Sequence, residues 1–140
     1  MGKFIDVIIP RGGKSLVKKV QDLSSIPTIS HLEGVCHSYV DKDANPKFAE
    51  KIIYNAKLRN TAICGATETI LMHEKIIKKF GNSILKNLED NGCKIIGDSK
   101  IVKSYGKKIQ RASIKDWSKE YLSSTVSVKS VKNLDEAINH

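Results

Sequence analysis

Short apolar runs rich in β-branched residues alternate along this chain with longer segments in which apolar residues recur every three or four positions. The runs predict strands, because each is brief and is bounded by proline, glycine or polar residues. The expected strands are Phe4–Ile9, Ile26–Ile29, Ser38–Val40, Thr67–Met72, Cys93–Ile96 and Thr125–Val128. The helical spacing predicts helices over Ser15–Leu23, Pro46–Leu58, Glu74–Glu89 and, as a single turn, Ile101–Tyr105, with a last helix capped by Asn133. Such alternation predicts an α/β fold, a three-layer αβα arrangement in which helices cover both faces of a sheet.

The amino-terminal part of the pattern has the order strand, glycine turn, helix, strand. The first strand ends at Pro10 and Gly12–Gly13, the helix follows from Ser15, and the second strand ends at Ile29. We therefore predict a βαβ unit with a buried first strand, and such units are parallel and right-handed almost without exception.

The composition is that of an ordinary globular domain, because 40% of the 140 residues are apolar and 28% are charged. No apolar run approaches the roughly 18 residues that a membrane span needs. The start of the chain lacks the basic region and long apolar stretch of a secretory signal. We expect a cytoplasmic protein that does not associate with membranes.

The net charge of +9 is compatible with nucleic acid, acidic membranes or phosphorylated ligands as partners. Lysine supplies nearly all of this charge, since the only arginines are Arg11, Arg59 and Arg111. Base reading and bidentate phosphate contacts favour arginine. A solvated, lysine-rich surface is therefore favoured over a nucleic-acid face, and a non-catalytic basic binding protein stays as an alternative.

The three cysteines, Cys36, Cys64 and Cys93, match neither a disulfide framework nor a structural zinc site, because they are odd in number and widely spaced. Cys64 lies among small residues just before a predicted strand. There a sulfur can be exposed, and backbone N–H groups can bind an oxyanion formed on a substrate. The alternative is a small buried apolar residue, which is the commoner fate of a free cysteine.

Two other segments have candidate chemistry. The turn Arg11–Ser15 places glycines between a strand and a helix, where backbone N–H groups and the helix N-terminus can bind phosphate, although the same glycines also form ordinary turns. The segment His31–His37 contains two histidines, a glutamate and a cysteine, but its spacing matches no tight zinc pattern. We expect no metal site there, and we expect Cys36 in the core.

Several motifs occur in the order typical of one enzyme family. They are Phe4–Gly13, His31–His37, Tyr39–Asp41, Asn55–Lys57, Cys64–Thr69 and Leu134–Ile138. On these residues the chain resembles gamma-glutamyl phosphate reductase, also called glutamate-5-semialdehyde dehydrogenase, of the aldehyde dehydrogenase superfamily. The resemblance implies that superfamily's fold and an oxidoreductase of proline biosynthesis. The family reduces L-glutamyl 5-phosphate to glutamate 5-semialdehyde with NADPH and releases phosphate.

The resemblance also implies roles for individual residues. Cys64 matches the nucleophile, whose thiolate forms a thioester with the glutamyl group. His31 stands near the position where hydrolytic aldehyde dehydrogenases keep a glutamate base. Four residues match the turn that lies against the cofactor's phosphates, and a glutamate matches the one that holds the nicotinamide ribose. These cofactor-binding matches are Arg11, Gly12, Gly13, Ser15 and Glu120.

Two departures from the family pattern count against activity. The family usually has Arg-Pro before the cysteine, whereas this chain has Asn60–Thr61, and it usually has Asn after the cysteine, where Gly65 stands. Loss of an arginine beside an acyl-phosphate site is expected to weaken substrate binding, and Arg59 compensates only if the loop shifts.

The family also has amino-terminal and carboxy-terminal regions to which these residues do not correspond. We therefore predict a remnant of the dinucleotide-binding domain at residues 1–33 and a truncated catalytic domain at residues 34–140. Alone, such a chain is expected to be weak or inactive and to self-associate through exposed apolar surface. The alternative is an enzyme that a second chain completes.

Overall fold

The computed structural model describes residues 4–106 and 109–140. They form two compact units, the first ending at Gly34 and the second comprising Val35–His140. The first unit contains helix α1 (Lys14–Leu23) and a parallel β-bridge between Ile8 and Thr28. The predicted order and parallel direction of this segment are confirmed, whereas its two predicted strands are reduced to this single bridge.

The expectation of a buried first strand is wrong. Phe4 is 90% exposed and Ile9 is 63% exposed. Among the described residues of this unit only Val17, on α1, is buried. A β-branched run forms an extended strand when neighbouring strands and an apolar layer cover it, and within this unit the described residues supply neither.

The second unit is built on a five-stranded parallel sheet with the strand order β1-β2-β5-β3-β4. The strands are β1 (Cys36–Val40), β2 (Thr67–His73), β3 (Lys94–Gly97), β4 (Gln110–Arg111) and β5 (Thr125–Val131). Strand β2, between β1 and β5, is buried along its whole length, which is typical of a parallel sheet with both faces covered. The predicted α/β class is confirmed.

Helices flank this sheet, and one large core lies between them and one sheet face. The helices are α2 (Pro46–Leu58), α3 (Glu74–Ile76), α4 (Asn82–Asp90), α5 (Ser99–Tyr105) and α6 (Leu134–Ile138). The core combines Ile70 and Met72 of β2 and Val128 of β5 with Leu85 and Leu88 of α4. None of the described helices has both the length and the apolar character that crossing a membrane requires.

The helix predicted over Glu74–Glu89 is interrupted by one π-helical turn, Ile77–Gly81, between α3 and α4. A β-carbon at Gly81 would lie 3.2 Å from the Ile76 carbonyl oxygen and 3.3 Å from the Met72 sulfur. Glycine therefore permits this turn to pack closely against the end of β2.

Helix α2 begins as predicted, because the Asn45 side chain accepts hydrogen bonds from two backbone N–H groups of its first turn and proline occupies the first helical position. The apolar residues at helical spacing in α2 are only partly buried. Ala49 and Ile53 are buried, but Phe48 and Ile52 are exposed. The buried stripe is therefore narrower than the apolar pattern.

Candidate functional site

Cys64 lies in a tight turn between α2 and β2. The backbone N–H of Ala66 donates to the carbonyl of Ile63 (3.0 Å), which places Cys64 and Gly65 at the two central positions of the turn. Cys64 is exposed, as are both of its neighbours. The turn therefore presents this thiol to solvent beside Gly65, and a cysteine nucleophile needs such exposure.

Cys36 contacts the same turn from the start of β1. Its thiol donates to the carbonyl oxygen of Cys64 at 3.2 Å. Strands β1 and β2 are parallel, and Cys36 is in register with Thr67. The amino-terminal ends of both strands therefore lie side by side at the same end of the sheet. The expectation that Cys36 belongs to the core is wrong, since its side chain is half-buried at this end of the sheet.

Cys93 offers the contrasting environment for a thiol. It is buried in the core immediately before β3. Burial raises the pKa of the Cys93 thiol to about 11, against an opposing effect of the Lys57 charge. A buried thiol of this kind is inert toward solutes, so of these two cysteines the exposed Cys64 is the one suited to chemistry.

A buried ion pair lies at the base of the Cys64 turn. Lys57 Nζ, in the last turn of α2, is 2.7 Å from Glu68 Oε2, at the second position of β2. The two side chains are 0% and 1% exposed. The other carboxylate oxygen of Glu68 accepts a hydrogen bond from the backbone N–H of Leu122 at 3.1 Å.

The segment Glu120–Leu122 is thereby joined to the strand that follows Cys64. Glu120, the residue matched to the nicotinamide ribose, is half-buried in this segment. Tyr121 donates from its hydroxyl to Asp116 at 2.9 Å, and burial together with this carboxylate raises the pKa of Tyr121. The structure thus links the Cys64 and Glu120 segments through Glu68.

The candidate phosphate turn lies in the first unit. Gly12 has φ +145°, a conformation that favours glycine, and Gly13 caps α1 through its carbonyl. Lys14 donates to the Glu33 carboxylate at 2.9 Å. An open groove of about 550 Å³ runs along this end of α1, lined by Lys14, Ser15, Lys18, Leu32 and Glu33. Two ammonium groups, a hydroxyl and a helix N-terminus suit a phosphate, while the carboxylate opposes it.

The remaining predicted residues have simpler environments. His31 is exposed in the first unit, and Arg59 is exposed at the end of α2. Gly65 does not have a positive φ, and a β-carbon there would have no atom within 4 Å. The backbone therefore accommodates the asparagine that the family usually has after the cysteine. Within the described ranges, no group of three histidine, cysteine or carboxylate side chains is arranged to hold a metal ion.

The buried pair is the feature that reasoning from the sequence missed. A signal for it exists, because Lys57 follows the buried Ile53 by four residues and so continues the inward stripe of α2. A lysine at an inward position needs a buried partner. Glu68 is a candidate for this partner, because it is the only acidic residue in the apolar run that forms β2.

Comparison with known proteins gives first the class of this fold. The chain superposes on lactaldehyde dehydrogenase from Escherichia coli with a TM-score of 0.72 at 13% identity, over 96% of this chain and 38% of that one. The fold is therefore one that aldehyde dehydrogenases have. No protein-family model matches the chain.

A nearer likeness is to one enzyme with this fold. The crystal structure of gamma-glutamyl phosphate reductase from Thermotoga maritima matches with a TM-score of 0.92 and 37% identity, covering 99% of this chain and 33% of that one. The gamma-glutamyl phosphate reductase of Magnetococcus marinus is 41% identical over 140 residues, 99% of this chain and 33% of its own length. The resemblance to gamma-glutamyl phosphate reductase is confirmed along nearly all of this chain, which spans about one third of the relatives it matches.

Proposed function

We propose that this chain carries the nucleophile of a gamma-glutamyl phosphate reductase, with Cys64 as the residue that attacks the acyl phosphate. The observation that supports this role is the exposure of Cys64 at the centre of a tight turn before β2. The reaction is the NADPH-dependent reduction of L-glutamyl 5-phosphate to glutamate 5-semialdehyde.

The chemistry at Cys64 is acyl transfer. Its thiolate attacks the carbonyl carbon of the acyl phosphate, the bond from that carbon to the phosphate oxygen breaks, and phosphate leaves with the electron pair. A thioester on Cys64 results. Backbone N–H groups of the turn are suited to stabilise negative charge on the carbonyl oxygen during the attack. After reduction, collapse of the hemithioacetal returns the electron pair to sulfur and frees the aldehyde.

The cofactor assignment rests on the groove along α1 and on Glu120. Arg11, Gly12, Gly13 and Ser15 would hold the phosphates of NADPH, and Glu120 the nicotinamide ribose. The positive side chains and helix N-terminus of the groove fit a phosphate-bearing group, although Glu33 reduces its net positive charge. When bound, NADPH supplies the hydride that reduces the thioester.

We further propose that residues 1–33 serve the cofactor domain and residues 34–140 the catalytic domain of a cytoplasmic enzyme. The groove along α1 is open, whereas hydride transfer needs a cofactor held in an enclosed, pre-organised site. The isolated 140 residues are therefore expected to turn over weakly or not at all. Activity would need the other two thirds of the enzyme, on a second chain or a longer one.

Selective alkylation tests the role of Cys64 in the isolated chain. Iodoacetamide at pH 8, followed by peptide mapping, should modify Cys64 first and leave Cys93 unmodified in the folded protein, because burial raises the pKa of Cys93 to about 11. The Cys64→Ala variant gives the rate at which Cys36 is alkylated when Cys64 is absent. Equal rates at Cys64 and Cys93 would contradict the proposed exposure of the nucleophile.

A chimera tests the reaction itself. These residues would replace the matching third of the Magnetococcus marinus reductase, and NADP reduction would be followed with glutamate 5-semialdehyde and phosphate. We expect activity that Cys64→Ala abolishes and that Cys36→Ala leaves measurable. A folded chimera whose activity survives Cys64→Ala would overturn the proposal, and activity of the isolated chain would overturn only the need for the other two thirds.

A further inference from the structure

The Lys57–Glu68 pair takes no part in the chemistry proposed above. Taking two charges out of water costs free energy that their attraction offsets only with good geometry and further hydrogen bonds. A buried pair is for this reason weak evidence for a contribution to stability, since apolar residues of similar volume often do as well. Its place in the chain points to another role.

The pair joins the two segments that enter and leave the Cys64 turn. Lys57 belongs to the last turn of α2, and Glu68 is the second residue of β2. The connecting residues 59–66 have hydrogen bonds from the Ala66 N–H to Ile63, from the Ala62 N–H to the Asn60 side chain and from the thiol of Cys36 to Cys64. The ion pair, 2.7 Å from nitrogen to oxygen, adds a direct polar link between the two ends of the turn to the apolar core that α2 and β2 share.

Glu68 also holds a second segment. Its other carboxylate oxygen accepts the backbone N–H of Leu122, whose φ is +50°. Residues other than glycine occupy this left-handed region uncommonly, and they stay in it where the surroundings fix the backbone. Glu120, the proposed contact to the cofactor, lies two residues earlier.

We infer that Lys57 and Glu68 are positioning residues, which hold the Cys64 turn and the Glu120–Leu122 segment in a fixed relation. Lys57 fixes Glu68, and Glu68 uses one oxygen for Lys57 and the other for Leu122. The inference rests on the proposed function of Cys64. It assigns to this buried pair the alignment of the nucleophile with the residue that holds the nicotinamide ribose.

The test replaces the pair by apolar residues in the full 140-residue chain. Lys57→Met/Glu68→Leu should keep the cooperative thermal transition of the parent. The alkylation rate of Cys64 should nevertheless change by about tenfold or more, because the reactivity of a thiol depends on its exposure and on the charges and backbone N–H groups around the sulfur, which move with the turn. Protection of the Leu122 amide from hydrogen exchange should be lost. Lys57→Leu/Glu68→Met, a second apolar pair of similar volume, provides the same readouts if the first double variant does not fold.

The exposed pair Lys86–Asp90 on α4 gives the matched control. Lys86→Met/Asp90→Leu should leave the alkylation of Cys64 and the protection of Leu122 unchanged. A folded Lys57→Met/Glu68→Leu variant, or a folded Lys57→Leu/Glu68→Met variant, with the parent's Cys64 alkylation rate would overturn the inference. Activity of the chimera after Cys64→Ala would instead overturn the proposed function, so the two can fail separately.

Discussion

The two units of this chain are made from similar residues but differ in how they bury them. The second unit places a continuous set of apolar side chains between its parallel sheet and α2, α4 and α5. The first unit buries Val17 alone among its described residues and exposes the apolar side chains of Phe4, Ile9, Leu23 and Ile29. Hydrophobic burial is the dominant favourable term in folding. The second unit is therefore expected to supply the stability of the chain.

The difference also separates the two halves of the proposed chemistry. The Cys64 turn lies between α2 and β2, two elements of the well-buried unit, whereas the candidate phosphate turn precedes a helix with one buried residue. A nucleophile needs a rigid support, and a cofactor loop can be ordered when its ligand binds. We therefore expect the nucleophile to be pre-organised and the phosphate turn to be loosely held in the isolated chain.

Hydrogen exchange gives the largest expected contrast between the units. Amides of β2 and β5 should exchange through global unfolding, and those of α1 through local opening. Protection factors in the strands should exceed those in α1 by about 1,000-fold or more. That ratio corresponds to a difference of about 4 kcal/mol in opening free energy, which lies within the 5–15 kcal/mol that is typical for the free energy of global unfolding. Two-dimensional NMR after transfer to deuterated buffer measures both. Equal protection in α1 would show that the first unit is as stable as the second.

Truncation of one leucine in each unit gives the next largest effect. Leu85→Ala, at a side chain that is 0% exposed, should lower the free energy of unfolding by about 2–5 kcal/mol, because it removes buried contacts and leaves a cavity. The matched Leu23→Ala, at a side chain 74% exposed on α1, should change it by less than about 0.5 kcal/mol. Urea titrations followed by circular dichroism compare the two. A loss of unfolding free energy for Leu23→Ala as large as that for Leu85→Ala would contradict the exposure of Leu23.

The same contrast explains which parts of the fold the sequence predicts. Local periodicity located the helices Lys14–Leu23 and Pro46–Leu58, because helical spacing and the residues at the helix ends suffice even where only part of the apolar face is buried. It also located β2, where the apolar run agrees with the burial. It failed over Phe4–Ile9, where an apolar run has no layer to cover it. Local periodicity also did not predict the π-helical turn at Ile77–Gly81, whose Gly81 packs closely against Met72, because such tertiary packing is not visible in a local pattern.

The candidate site was predictable only in its chemistry. Cys64 was named from its small neighbours and from the resemblance, and its exposure fits that hypothesis. The ion pair beneath Cys64 was not predicted, because a lysine in a helix is ordinarily a surface residue and the two partners are eleven positions apart. The contact of Cys36 with the Cys64 carbonyl depends on strand order, which local patterns do not specify.

Two adjacent glycines in the phosphate turn offer the smallest and most local test. Gly12→Ala should weaken the start of α1, because φ +145° is strained for alanine and the new β-carbon would lie 2.9 Å from a Leu16 methyl carbon. Gly13→Ser should strengthen it by a few tenths of a kcal/mol, since Gly13 has an extended backbone, open space around it and no side-chain cap to lose. Hydrogen exchange of the α1 amides should report both changes, while the urea midpoint of the main transition stays constant. A shift of that midpoint by either variant would mean that α1 unfolds together with the sheet, and the two units would then form one cooperative structure.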